Sequence, residues 1–347
     1  MLDTGASITI FTPDTAESLK LKKIAKINIS DSFISKDTDL VVAEKIILGD
    51  VSVEKCSAAI LETDKFEDTF NIKIDGVLGS NFLRFFAIRI DYSRKTITFA
   101  ATSKDFSTEL EPSHKIALSQ SKTGSIYLLL RISGVEVPYR AEIDTGADSS
   151  ILIPMQHLER LKPALNTEVL RCQGILTRSI FSESDGLISR LGEFKIGEQS
   201  IENSLVRFDN REINSLLIGN KFLSRFIVTI DYLKNEMFLM PIAGKAYETN
   251  IKSFGFGTKQ NEDTKLYITS LYEGSDAERA GLRIGDVILR VEAKGEFGTS
   301  YEEFTKISSK YNTIHLYVQR DGGEEEIVLT KSWLFPEVEQ EVHRKSL

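Results

Sequence analysis

The sequence predicts a mainly β protein, built from two tandem copies of one strand-rich unit and a smaller third module of strands and two helices. Three observations predict it. "LDTGASITIFTP" at 2–13 returns as "IDTGADSSILIP" at 143–154, an offset of 144 − 3 = 141. "VLGSNFLRFFAIRIDY" at 77–92 returns as "LIGNKFLSRFIVTIDY" at 217–232, an offset of 219 − 79 = 140. The segments between the paired motifs therefore differ in length by one residue. From about Phe254 the repeat stops, and glycine turns, short strands and an amphipathic helical pattern take over.

The chain opens directly on its first Asp-Thr-Gly, with only Met1 and Leu2 ahead of Asp3. The second copy is preceded by "SIYLLLRISGVEVPYRAEI", which reads as two strands joined by a turn at Ser133-Gly134. At the 141 offset Met1 aligns with Glu142, so the first copy lacks a counterpart of that hairpin. The expectation is an N-terminally incomplete copy of a longer protein, with a degenerate first copy as the alternative. Between the paired motifs, "LGDVSVEKCSAAI" and "IGEQSIENSLVRF" read as matching hairpins around Gly49 and Gly197.

Composition excludes several function classes. The net charge is −8, from 43 Lys+Arg against 51 Asp+Glu, with no basic block to follow a phosphate backbone, so nucleic acid is not an expected partner. The longest apolar runs, such as "IYLLL", are too short to span a bilayer. Cys56 and Cys172 fit one bridge or two free thiols equally well. His114, His157, His315 and His343 have no metal-ligand spacing, and neither a G-x-S-x-G elbow nor a phosphate-cradling G-x-x-x-x-G-K-[ST] loop occurs.

What remains is a pair of carboxylates. Two of them held close together cannot both ionise comfortably, so the pair keeps one proton. The ionised member can take a proton from water while the protonated member polarises a carbonyl. Glycine after Asp-Thr allows a tight turn with backbone close to the carboxylate, and the threonine hydroxyls can cross-link the two loops.

Asp-Thr-Gly-Ala-[Ser/Asp] followed by apolar-Gly-x-x-Phe-Leu resembles the retropepsin-like aspartic proteases. Two copies in one chain are similar to a single-chain, pepsin-style pseudo-dimer. The resemblance covers roughly 1–242 and implies two acid-protease β-barrel lobes, at 1–105 and 116–245. It implies Asp3 and Asp144 as the catalytic dyad, Thr4 and Thr145 as an interlocking pair, and Gly5 and Gly146 as the residues shaping the turns. Ser7 and Asp148 would fill the supporting polar position of each loop, and the Gly79 and Gly219 motifs would pack beneath. If Asp148 points inward, Asp144 becomes the proton holder; the alternative is that Asp148 faces solvent. Hairpins at 31–40 and 172–185 would cover the cleft. Neither metal nor cofactor is implied, the substrates would be peptides or proteins, and a monomer suffices because one chain supplies both carboxylates.

The third module, over 254–331, resembles a PDZ domain of the bacterial protease-associated kind, a β-sandwich with two helices. "GSDAERAGLRIGDVIL" is its strongest feature, and "SYEEFTKISSKY" places Phe304, Ile307 and Tyr311 at helical spacing. The resemblance implies that Phe254, Gly255, Phe256 and Gly257 form a loop whose backbone N–H groups receive a peptide's C-terminal carboxylate. Core packing is the competing reading for Phe254 and Phe256. Residues 332–347 read as a tail in which Trp333, Leu334 and Phe335 could pack on this module. An extracytoplasmic location is suggested by this resemblance alone. The rival to an aspartic endopeptidase is a catalytically inactive peptide-binding adaptor acting through the third module.

Overall fold

The computed structural model describes residues 1–63, 73–109, 113–245, 249–261, 265–320 and 322–335. Asp321, His343 and the tail beyond Phe335 lie outside the described residues. The chain is mainly β and divides into two compact units: Met1–Val169 with Thr177–Thr249, and Leu170–Leu176 with Asn250–Leu347.

The first unit carries two sheets of related plan. In one, Thr9–Phe11 runs parallel to Val51–Ile60 and antiparallel to Gly76–Val77, with Ser35–Leu48 and Lys23–Ser30 continuing outward. In the other, Ile151–Pro154 runs parallel to Gln199–Asp209 and antiparallel to Leu216–Ile218, flanked by Glu183–Ile196. Here Ile126–Ile132 and Tyr139–Ile143 complete the sheet, and a further pairing of Ile126–Ile132 with Glu183–Ile196 curls it back on itself. The expected turns at Gly49, Gly134 and Gly197 all adopt positive φ (59°, 78° and 58°), the conformation that favours glycine.

A third sheet in this unit places Ala87–Asp91 antiparallel to Phe226–Asp231, with Thr96–Ala100 and Glu236–Pro241 outside them and His114–Ala117 at the far edge. Its register sets Arg89 opposite Thr229, positions separated by 229 − 89 = 140, the same offset that relates the two Gly-x-x-Phe-Leu motifs. The main core joins side chains from both sequence copies, including Phe82, Leu83 and Ile88 with Phe222, Leu223 and Val228. Cys56 and Cys172 are both buried and make no disulfide among the described residues.

The second unit has its own core around Ile268, Val291, Ile307, Ile314 and Leu316. Its helix Tyr301–Lys310 starts on a capping box between Ser300 and Glu303 and buries Phe304 and Ile307. Phe256–Gln260 pairs with Leu266–Tyr272, and among the described residues its other edge has no strand partner. Segment 170–176 pairs antiparallel with the same Leu266–Tyr272 strand, Cys172 opposite Tyr272. Leu334 and Phe335 are buried and tied back to Asn250 and Ile251, whereas Trp333 remains exposed.

Candidate active site

Each Asp-Thr-Gly loop hangs from the strand that precedes a Gly-x-x-Phe-Leu motif. The Asp3 N–H donates to the Leu78 carbonyl at 3.0 Å, and the Asp144 N–H donates to the Ile218 carbonyl at 3.0 Å. Leu78 donates in turn to the Met1 carbonyl at 2.9 Å, so the first loop is held by this strand. From below, Ser80 N–H reaches the Ala6 carbonyl (2.7 Å) and Asn220 N–H the Ala147 carbonyl (2.8 Å). A Cβ on Gly79 would lie 2.6 Å from the Ile8 carbonyl, and one on Gly219 2.6 Å from that of Ser149, so both glycines are required by close packing.

The two loops then lock to one another. Thr4 N–H donates to Thr145 Oγ1 at 3.1 Å, and Thr145 N–H donates to Thr4 Oγ1 at 3.1 Å. The hydroxyls pass the bond across: Thr4 Oγ1 donates to the Ile143 carbonyl (2.6 Å) and Thr145 Oγ1 to that of Leu2 (3.0 Å). Both threonines are buried, so every one of these donors is satisfied inside the protein.

This lock brings Asp3 and Asp144 into hydrogen-bonding contact with each other. Burial first, then the charge of Asp3 and the bond to it, then the charge of Glu142, drive the Asp144 pKa well above its ordinary value. Asp3 Oδ1 accepts two backbone N–H groups, Gly5 at 2.8 Å and Ala6 at 3.0 Å, whereas Asp144 Oδ1 accepts Gly146 at 2.7 Å. Donors favour the anion, so both the donor pattern and the pKa shift put the shared proton on Asp144.

Of the two orientations open for Asp148, the structure has the exposed one, and Asp148 is not among the main causes of the Asp144 shift. The third charge is instead Glu142, two residues before Asp144 on strand Tyr139–Ile143. Gly5 and Gly146 do not have positive φ, so they are not needed to bend the loops. Each makes room: a Cβ on Gly5 would sit 2.5 Å from Asp144 Cγ, and one on Gly146 2.5 Å from Asp3 Cγ. Ser7 lies half-buried in the cleft wall.

The carboxylates open into a cavity of about 210 Å³, walled by Ile8, Ile10, Leu152 and Leu217 and by the tips of the two covering hairpins. Asp31 joins those tips. Its Oδ1 accepts the N–H groups of Phe33 (3.1 Å) and Ile34 (2.9 Å), and its Oδ2 accepts Phe181 N–H (2.9 Å) and the Ser179 hydroxyl. Glu212 N–H adds a bond to the Ser32 carbonyl at 2.7 Å. In the same wall, Arg211 makes a buried bidentate pair with Asp209, both contacts at 2.7 Å. Sequence reasoning missed Glu142, Asp31 and Arg211. For Glu142 the signal was present, as an acid on the alternating strand "YRAEI" just ahead of the Asp-Thr-Gly loop.

In the second unit, Phe254 is a core residue, 5% exposed, and its carbonyl accepts Ala277 N–H at 3.1 Å. Gly255 has φ +92° with Ser275 against the place a Cβ would take. Its N–H already donates to Ser253 Oγ at 3.1 Å, which removes one donor from the expected carboxylate loop. Phe256 is half-buried with its ring 5.9 Å from that of Phe304, and a Cβ on Gly257 would lie 2.5 Å from Ser270 Oγ.

A family model described as aspartyl protease matches residues 1–82, the segment that holds Asp3 and the Gly79 motif. The match supports an aspartic protease. Among curated relatives, a probable CtpA-like serine protease of Staphylococcus aureus, in strains COL and MW2, is 33% identical over 96 residues. That alignment takes in 27% of this chain, and the chain spans less than a fifth of those relatives' length, 18%. Among solved structures, a retropepsin-like aspartic protease from Rickettsia conorii aligns at 21% identity and a TM-score of 0.27, covering 37% of this chain and 90% of that one.

Proposed function

We propose that the first unit is an aspartic endopeptidase, two pseudo-symmetric lobes around an Asp3/Asp144 dyad. The observation that carries this reading is the reciprocal threonine lock, which holds two carboxylates in contact at the floor of a cleft covered by two hairpins. Asp3, as the anion, takes a proton from water as its oxygen attacks the peptide carbonyl carbon. Asp144 gives its proton to the carbonyl oxygen. When the tetrahedral centre collapses, the C–N bond breaks, the amine leaves with the proton gathered by Asp3, and one hydroxyl of the diol returns its proton to Asp144 as the carboxyl group forms. No covalent enzyme intermediate arises. Because Asp144 must stay protonated and its pKa is raised, activity extends upward from acid and falls once Asp144 ionises.

The second unit is proposed as a PDZ-type module that takes a peptide as an added strand. Its support is strand Phe256–Gln260, which has a strand neighbour on one side among the described residues and is bridged to helix Tyr301–Lys310 by the Phe256–Phe304 contact. Phe256 and Gly257 would provide the remaining loop donors. Its place alongside a peptidase is substrate delivery or regulation.

The test is cleavage of an unfolded protein mixture from about pH 3 to about pH 8 by the intact chain and by its Asp3→Asn and Asp144→Asn forms. Cutting by the wild type that each substitution lowers by at least about a thousandfold supports the dyad. Equal cutting by all three refutes it. No cutting by any form, with C-terminal peptides bound by the second unit, selects the inactive adaptor instead.

A further inference from the structure

The cleft holds an acid that takes no part in the proton transfers proposed for the dyad, although its charge adds to the field on Asp144. Glu142 lines the same cavity as Asp3 and Asp144, pointing from the strand just ahead of the second loop. It is half-buried, and its carboxylate meets the hydroxyls of Ser125 and Tyr127. Arg140 shares its face of the strand, two positions away, but stacks over Tyr127 at 3.5 Å. Among the described residues no cation forms a salt bridge with Glu142.

The other charged groups around the cavity are accounted for. Arg211 is committed to Asp209, and Arg178 to Glu183 at 3.2 Å. Asp31 is spent on the hairpin tips, and the dyad shares its proton. What is left is one acidic position without a salt-bridge partner, in a wall that mixes Ile and Leu side chains with serine and threonine hydroxyls. The hydroxyls that meet Glu142 carry no charge, so an ammonium or guanidinium placed there would balance it as a neutral or acidic side chain would not.

We propose that Glu142 is a specificity-determining residue that selects a lysine or arginine side chain of the peptide next to the scissile bond. The proposal rests on the aspartic endopeptidase reading. Burial, partly offset by Ser125 and reinforced by the charge of Asp3, raises the Glu142 pKa to about 7, while Arg211 and Arg140 pull it down. Tyr127 faces it from the neighbouring strand, paired directly across from it. Glu142 is therefore fully charged only on the alkaline side of neutrality, and the preference for a cation should strengthen as pH rises through that range. A bound cation would itself hold the carboxylate ionised.

The experiment measures binding, so that it does not depend on turnover. Three peptides carry a non-cleavable hydroxyethylene group in place of the scissile bond. One has norleucine on both sides of it, and the others place lysine on the amino or the carboxyl side. Each is titrated calorimetrically at about pH 8 into the wild-type chain and its Glu142→Gln, Glu142→Asp and Asp144→Asn forms.

One lysine peptide binding wild type at least about tenfold more tightly than the norleucine peptide is the expected result. That advantage, read as the ratio to the norleucine peptide in the same variant so that any common change through Asp144 cancels, should vanish in Glu142→Gln and persist in part in Glu142→Asp, with circular dichroism as the control for folding. A lysine preference that survives Glu142→Gln, or never appears in wild type, overturns the proposal. So does an equal loss for all three peptides, which would mean that Glu142 acts only by positioning the dyad. The endopeptidase reading is judged separately. It survives such failures if Asp144→Asn weakens the norleucine peptide, and both readings fall if that peptide does not bind wild type.

Discussion

At the residue scale, the site depends on an inequality between two carboxyls that the sequence motif makes look alike. Asp3 has two backbone donors where Asp144 has one, and Glu142 adds its charge on the Asp144 side. A carboxyl whose folded pKa is raised contributes stability below its unfolded pKa and loses it as pH climbs through the folded value. Asp144→Asn removes that loss. The variant should be inactive yet melt above wild type at about pH 8, by a few degrees for each kcal/mol recovered, with the gap closing in acid; melting curves at the two pH values check it. Gly5→Ala tests the reciprocal packing. Its new methyl would press on Asp144 Cγ, costing about 1–3 kcal/mol and displacing the carboxylate, so thermal stability and kcat should both drop. The Asp-Thr-Gly signatures made it legible in the sequence that the loops of Asp3 and Asp144 are equivalent, and the structure sets them together. The source of the asymmetry between them was not, because strand direction decides that Glu142 faces the cleft while Asp148 faces water, and a loop sequence does not fix where its acid points.

At the scale of elements, the two covering hairpins were legible as polar turns between alternating strands, but their connection was not. Asp31 bonds to Ser179 and Phe181, about 150 positions along the chain, and no local pattern announces a contact across that separation. Burial raises the Asp31 carboxyl, yet the bonds from Ile34, Ser179, Phe33 and Phe181 outweigh it, and its pKa lies below the ordinary value. The latch is therefore complete at neutral pH and is lost as pH falls through that depressed value. Asp31→Ala should raise amide exchange at 31–34 and 179–182 by roughly tenfold or more at neutral pH, since each bond to an ionised group is worth about 1.5–3 kcal/mol. The same rise should appear in the wild type at strongly acidic pH. Unchanged exchange in the variant would mean that Glu212 and Ser32 hold the tips alone. The second unit was more local and so more readable: the helical spacing of Phe304 and Ile307 in "SYEEFTKISSKY" corresponds to helix Tyr301–Lys310, which buries both. The exception is Gly255, whose N–H is taken by Ser253, a bond that depends on a side-chain rotamer rather than on spacing.

At the scale of the whole first unit, the repeat predicted which segments are equivalent without predicting that two of them would pair. In "FFAIRIDY" and "FIVTIDY" one alternating face is apolar (Phe86, Ile88, Ile90; Phe226, Val228, Ile230) while the other carries Arg89 and Asp91 or Thr229 and Asp231, so the pattern marks only one buried face although the structure buries both. Their partner is supplied by symmetry: an antiparallel pair of equivalent strands must centre on equivalent residues, and Arg89 opposite Thr229 does so. Pairing at this seam, with Phe82, Leu83 and Ile88 packed in one core with Phe222, Leu223 and Val228, makes the two sequence copies a single cooperative body. Val228→Asp tests this, because it places an unpaired carboxylate at a position with no exposure, at a cost of at least about 3 kcal/mol. If the seam unites the copies, amide protection should fall together in Val51–Ile60 and in Gln199–Asp209, one strand from each copy. Loss confined to Gln199–Asp209 would mean that the copies are stable separately. In that case the Thr4–Thr145 lock, and not the shared sheet, would be what holds Asp3 against Asp144.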